Sequence, residues 1–235
     1  MQRQRVWDLP VRLFHWLLVA SIAFAYVSGQ LGGNLIDWHA RAGFLILGLV
    51  VFRIVWGLVG TPTARFATFV SGPAAIAAYL RGEWRGIGHN PLGALSVLGL
   101  LALVGAQAAT GLFTNDDIAF QGPFADWIGK DLSDRFHSWH AWLQNGLLAL
   151  VVVHVAAIVF YARVRRENLV KPMITGWTDT APASQAPPRH KRGGGLVAFI
   201  VSVLIAGAAT WAAAGGLLPP PPPAAAQPAA ASPGW

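Results

Sequence analysis

The chain has 235 residues, 54% of them hydrophobic and only 11% charged, against roughly 25% charged in an average soluble domain. It carries a formal net charge of +7 and no cysteine, which excludes disulfides and thiolate metal sites. The apolar residues gather in long runs, which excludes an ordinary soluble globular domain.

Five runs reach the roughly 20 apolar residues a bilayer-spanning helix needs: 11–29, 42–60, 92–113, 141–162 and 195–217. Backbone polar groups in lipid are satisfied only inside helices or closed barrels, and these runs are far too long for barrel strands. The first run follows Arg3, Arg5 and Arg12, like a signal peptide. It is longer than a signal core and no Ala-x-Ala-like cleavage site follows it, so it is expected to be retained. Between the second and third runs, "GPAAIAAYLRGEW" within 61–91 reads as a short interfacial helix. Asn90 and Pro91 read as the cap and first residue of the third helix.

Residues 114–139 read as a loop with turns at Asn115-Asp116, Gly122-Pro123 and Gly129. After the fourth run come a polar linker, 167–194, and the Ala- and Gly-rich fifth run. The last segment, 218–235, is a Pro/Ala-rich tail with nothing to build a core. No internal repeat is visible. Residues 1–166 thus form the expected core, within an all-α integral membrane protein: a four-helix transmembrane bundle, a fifth transmembrane helix and a disordered tail.

With the first helix entering from one side, that side carries thirteen Lys and Arg residues, from Arg3 to Arg192, against Arg41, Lys130 and Arg135 opposite. By the positive-inside rule the N-terminus is cytoplasmic and the tail periplasmic, in a multi-pass protein of a bacterial inner membrane. The net charge therefore reflects topology, and no nucleic-acid partner is implied. The outer side is acidic, with Asp37, Asp116, Asp117, Asp126, Asp131 and Asp134.

Histidine is costly in an oily segment, yet His15, His39, His137, His140 and His154 lie in or beside the runs. The step from His140 to His154 is close to four turns, about 21 Å along one helix face. Antiparallel threading sets His15 level with His154 near the cytoplasmic side, and His39 level with His140 near the outer side. Two stacked pairs on facing helices suit two bis-histidine haems in a bundle core. With no Cys-x-x-Cys-His, any haem is non-covalent. Two ligands at each level are too few for a four-coordinate zinc site. His137 is the rival of His140, but its ring is turned roughly 60° away on the same helix.

Arg53 follows His39 by the same step of about four turns, which sets it at the inner depth, where a propionate would pair it. The alternative is snorkelling to headgroups. Arg12 and Arg41, near His15 and His39, are further propionate candidates or plain topology residues. His89, just before the third helix, faces a quinone or propionate, or is an interfacial cap residue. His190 reads as part of a basic loop.

The stretches "VWDLPVRLFHW", "DWHARAGF", "FRIVWGLVGTPTARF", "GHNPLGAL", "TGLFTNDDIAFQGPFA" and "HAWLQNGLLALVVVHV" carry a family resemblance. Over residues 5–170 the chain resembles the bacterial cytochrome b561 family, in the subgroup like the cytochrome b subunits of nickel-iron hydrogenases. The resemblance implies two haem b groups ligated by His15 with His154 and His39 with His140. It also implies an electron-transfer subunit of the respiratory chain, alone or within a quinone-linked oxidoreductase complex. Its partners would be quinone and a periplasmic c-type cytochrome or hydrogenase-like protein. The alternatives are a small membrane transporter or metal or proton carrier using the same histidines, and a redox-inactive anchor.

Overall fold

The computed structural model describes residues 2–84, 90–118, 120–180 and 193–219. Strand β1 (Gln2–Arg5) leads into helix α1 (Leu9–Leu31). Asp8 caps α1 by accepting a hydrogen bond from the Val11 amide at 2.8 Å, and Pro10 in the first turn has no N–H to leave unpaired. The helix stops at Gly32 and Gly33, whose φ values of +61° and +53° are left-handed, a conformation glycine adopts without steric cost. A 3-10 turn, Gly33–Leu35, then returns the chain as α2 (Ile36–Val59).

Short helices α3 (Phe66–Phe69) and α4 (Pro73–Leu80) follow, α4 falling where the sequence suggests an interfacial helix. Helix α5 (Pro91–Gly111) starts as anticipated, with Asn90 Oδ1 accepting from the Gly93 amide at 2.7 Å. One-turn α6 (Ala125–Ile128) precedes the longest helix, α7 (Lys130–Phe160), which runs into a π turn, Tyr161–Arg165. Then come α8 (Val170–Thr175), strand β2 (Trp177–Thr180) and α9 (Leu196–Trp211). The tail beyond residue 219, with residues 85–89 and 181–192, lies outside the described residues.

Helices α1, α2, α5, α7 and α9, with their flanking turns, are long and apolar enough to cross a membrane. They expose apolar side chains such as Leu17, Val152, Val153 and Leu204, a surface that is unfavourable in water but suited to lipid. Helix α2 is the hub, packing against α1, α5 and α9, while α5 packs against α7. By contrast, α7 makes no extensive contact with α1 or α2 among the described residues. Helix α9 lies tightly on α2. Phe199 meets Phe52 and Trp56 edge-on at 6.0 and 6.2 Å, and a Cβ at Gly48 would collide with Thr210 Oγ1.

Two features depart from the sequence reading. Helix α7 begins at Lys130, so residues 130–139, read as loop, are helical. The extension is polar, with Lys130 bonding Asp134 one turn on at 3.2 Å and Ser133 donating to the Phe113 carbonyl at 2.8 Å. A search for apolar runs cannot see it. Secondly, the linker after α7 forms a latch. Strand β2 pairs antiparallel with β1, Arg5 opposite Trp177, and the Val6 amide donates to the Gly176 carbonyl at 2.9 Å. Gly176 has φ +86°, and a Cβ there would lie 2.9 Å from the Trp7 carbonyl oxygen. Among the described residues this two-stranded ribbon is the one sheet in an otherwise helical chain.

Candidate metal centre

One end of the bundle gathers the acidic loop, and there His39 lies in the first turn of α2. Its Nδ1 is 2.7 Å from the Ala25 carbonyl oxygen. A carbonyl only accepts, so Nδ1 carries the proton and Nε2 keeps its lone pair. The ring lies against bare backbone: a Cβ at Gly29 would fall 2.8 Å from Nδ1. On α7, His140 Nδ1 is 3.1 Å from Thr110 Oγ1. The single proton of that hydroxyl goes to the Gln107 carbonyl at 2.9 Å, so here too Nδ1 donates and Nε2 stays free. The Gln107 carbonyl also lies within hydrogen-bonding reach of His140 itself. Gly111 leaves room for this ring as Gly29 does for the other.

The two rings lie close together, edge to face, with centroids 6.0 Å apart and planes at 80°. Two neutral imidazoles this close could hold one metal ion between them through Nε2. Both rings line a cleft with Gly43, Phe44, Leu112 and Phe120, and beside Gly43 there is open space where a Cβ would project. His137 sits on the rim of this cleft, exposed.

At the basic end, His15 on α1 and His154 on α7 are half-buried and within electrostatic reach of each other. His15 Nδ1 is buried with no hydrogen-bond partner. Arg53 shares this depth. Thr61 Oγ1 donates to Asp8 at 2.5 Å, which sets the start of α1 beside the end of α2. His15 and Arg53 then both lie about 11 Å further in. Arg53 is only 3% exposed, which rules out snorkelling. Its guanidinium lies over the Phe66 ring at 4.7 Å, and Nη1 has no acceptor. The neighbouring Asp8 is already engaged by the Val11 amide, Trp56 Nε1 and Thr61 Oγ1. That carboxylate stays within electrostatic reach of Arg53 but does not accept from Nη1, and a buried donor left without an acceptor is costly.

Of the other candidates, Arg12 donates from Nη1 to the Ile174 carbonyl at 2.8 Å, while its buried Nε has no partner. Arg41 is exposed and stacks on Trp38 at 4.8 Å. His89 and His190 lie outside the described residues. Among the described residues no three His, Asp or Glu side chains converge as a metal site. Paired imidazoles suit a metal that brings its remaining ligands with it, as iron in a porphyrin does. The orphaned Arg53 Nη1 and the cradle at Gly43 fit such a group carrying carboxylates.

The sequence reading missed Ala25, Gly29, Thr110 and Gly111. One signal was present. Gly29 follows His15 by the same four-turn step that relates His140 to His154, and so lies on the same face of α1.

The chain matches the family described as prokaryotic cytochrome b561 over residues 6–176. A probable Ni/Fe-hydrogenase B-type cytochrome subunit of Azotobacter chroococcum mcd 1 is 27% identical over 213 residues, spanning 73% of this chain and 87% of the relative. Its Azotobacter vinelandii counterpart is 27% identical over 220 residues, with the same shares covered. A probable Ni/Fe-hydrogenase 1 B-type cytochrome subunit of Escherichia coli K12 is 23% identical over 215 residues, covering 73% and 89%. No solved structure matches the chain. Helix α9 lies beyond the matched region. Matched across its four core helices, the chain belongs to the prokaryotic cytochrome b561 family of membrane electron-transfer proteins that carry b-type haem.

Proposed function

We propose that the chain holds two b haems, one between His15 and His154 and one between His39 and His140, and passes electrons between the quinone pool and a redox partner. The observation that carries this is the closeness of His39 and His140, centroids 6.0 Å apart, each with Nδ1 committed and Nε2 free. Bound haem supplies one-electron exchange at its iron. The chain supplies everything else. With two histidines at each site, no open position would remain at either iron, which favours relay over oxygen chemistry. Arg53 offers a buried cation to an inner propionate, and Arg12 and Arg41 are the further propionate candidates.

In this reading the basic end is cytoplasmic and the acidic end periplasmic, by the charge asymmetry of the loops. The partner docks at the acidic end. The names of the relatives favour a hydrogenase, and a basic c-type cytochrome also complements the exposed Asp117, Asp126, Asp131 and Asp134. The quinone role rests on the family resemblance. Purified protein tests the core of the proposal. It should show a Soret band and a b-type α-band, and two haems per chain that acid-acetone extracts completely. One haem per chain overturns the two-pair assignment, and no haem overturns the electron-transfer reading at this site.

A further inference from the structure

The two histidine pairs differ in what stands behind the ligands. At the acidic end both Nδ1 protons are taken up: His39 gives its proton to the Ala25 carbonyl at 2.7 Å. His140 gives its own to Thr110 Oγ1 at 3.1 Å, sharing it with the Gln107 carbonyl, which also accepts the Thr110 hydroxyl at 2.9 Å. At the basic end His15 Nδ1 is buried and has no acceptor. That end also holds the guanidinium of Arg53, 3% exposed, with Nη1 unpaired and the Asp8 carboxylate engaged elsewhere.

We infer that this asymmetry sets the two sites at different potentials, and that Thr110 is the positioning residue that holds the acidic-end site low. The inference rests on the two-haem reading above. A hydrogen bond accepted from Nδ1–H makes the imidazole a stronger donor through Nε2. A stronger donor stabilises the oxidised iron more than the reduced iron, so the potential falls. The His15 ring receives no such push, which leaves the basic-end potential the higher of the two. Thr110 has a second role: it is 8% exposed, and its hydroxyl, held by its own helix turn, orients the His140 ring before any ligand arrives.

The test is potentiometry of the purified holoprotein, wild type against Thr110→Val, Thr110→Ala and Thr110→Ser, with haem content measured in parallel. Thr110→Val keeps the side-chain volume and removes only the hydroxyl. It should raise the lower of the two potentials and leave the higher in place; Thr110→Ala should act in the same direction, and Thr110→Ser should stay near wild type. Weaker haem retention at one site in Thr110→Val, about ten- to a hundred-fold and restored by Thr110→Ser, also supports the role. His154→Ala should remove the higher-potential component. An unmoved lower potential in Thr110→Val, a Thr110→Ser shift as large as that of Thr110→Val, or loss of the lower component in His154→Ala overturns the inference. Wild-type protein with fewer than two haems sinks the two-haem reading itself, which the haem assay registers separately.

Discussion

His137 and His140 stand one turn apart on α7, and only one of them is backed by a second side chain. His140 is half-buried, lies beside His39 at 6.0 Å and bonds Thr110. His137 is exposed on the cleft rim. Because α7 starts at Lys130, His137 lies inside the helix and cannot swing inward through a distorted first turn. His137→Ala should therefore keep both haems and at most shift the acidic-end potential, whereas His140→Ala should lose the acidic-end haem. Haem content of the two variants checks this, and the reverse pattern would exchange their roles. Histidines within apolar runs stand out by residue type, and helical spacing pairs them and adds Arg53, since depth and face both follow from the regular rise and rotation of the helix. Their supporting groups were not legible. A backbone carbonyl such as that of Ala25 has no sequence signature, and a threonine in an apolar helix resembles many others.

At the scale of elements, the junction of α1 and α2 depends on Asp8. Its carboxylate caps α1 and ties it to α2 through Trp56 Nε1 and Thr61 Oγ1, at 2.9 and 2.5 Å, in a setting only 5% exposed. Asp8→Ala removes a helix cap worth about 1 kcal/mol and leaves the buried Trp56 Nε1 donor unpaired at about 1–3 kcal/mol. A loss of roughly 2–4 kcal/mol is expected, read from denaturant unfolding in mixed micelles. Asp8→Asn keeps an acceptor for the Val11 amide and should cost less. Equal losses for the two substitutions would mean the carboxylate is not what joins the helices. The apolar runs made the five long helices readable, and Asn90 and Pro91 marked the start of α5. The polar extension of α7 and the pairing of β1 with β2 were not readable. The first carries no apolar run. The second joins two short segments from opposite ends of the four-helix core, whose pairing depends on where the helices bring them.

For the whole molecule, the absence of cysteine offers a clean test of orientation. Ile118 is 93% exposed at the acidic end, and Thr63 is exposed at the basic end. In sealed spheroplasts a membrane-impermeant maleimide should label Ile118→Cys and spare Thr63→Cys until the membrane is opened. Labelling in the opposite order would invert the assigned topology and move the partner-docking end to the cytoplasm.

The latch between β1 and β2 also has a bearing on how the protein is made. Arg12 and Trp16, on either side of His15, donate to the carbonyls of Ile174 and Met173, and β1 waits for residues 177–180. A ribosome delivers those partners only after α7 is complete. At about 5–20 residues per second, the growing chain has all four core helices for roughly one to four seconds before the clasp around His15 is made. During that interval the basic-end histidines stand unclasped while the acidic-end pair, built from residues up to 140, is already assembled. The clasp around His15 is thus the last part of the core to close, and a chain cut short before residue 173 keeps its first helix unfastened.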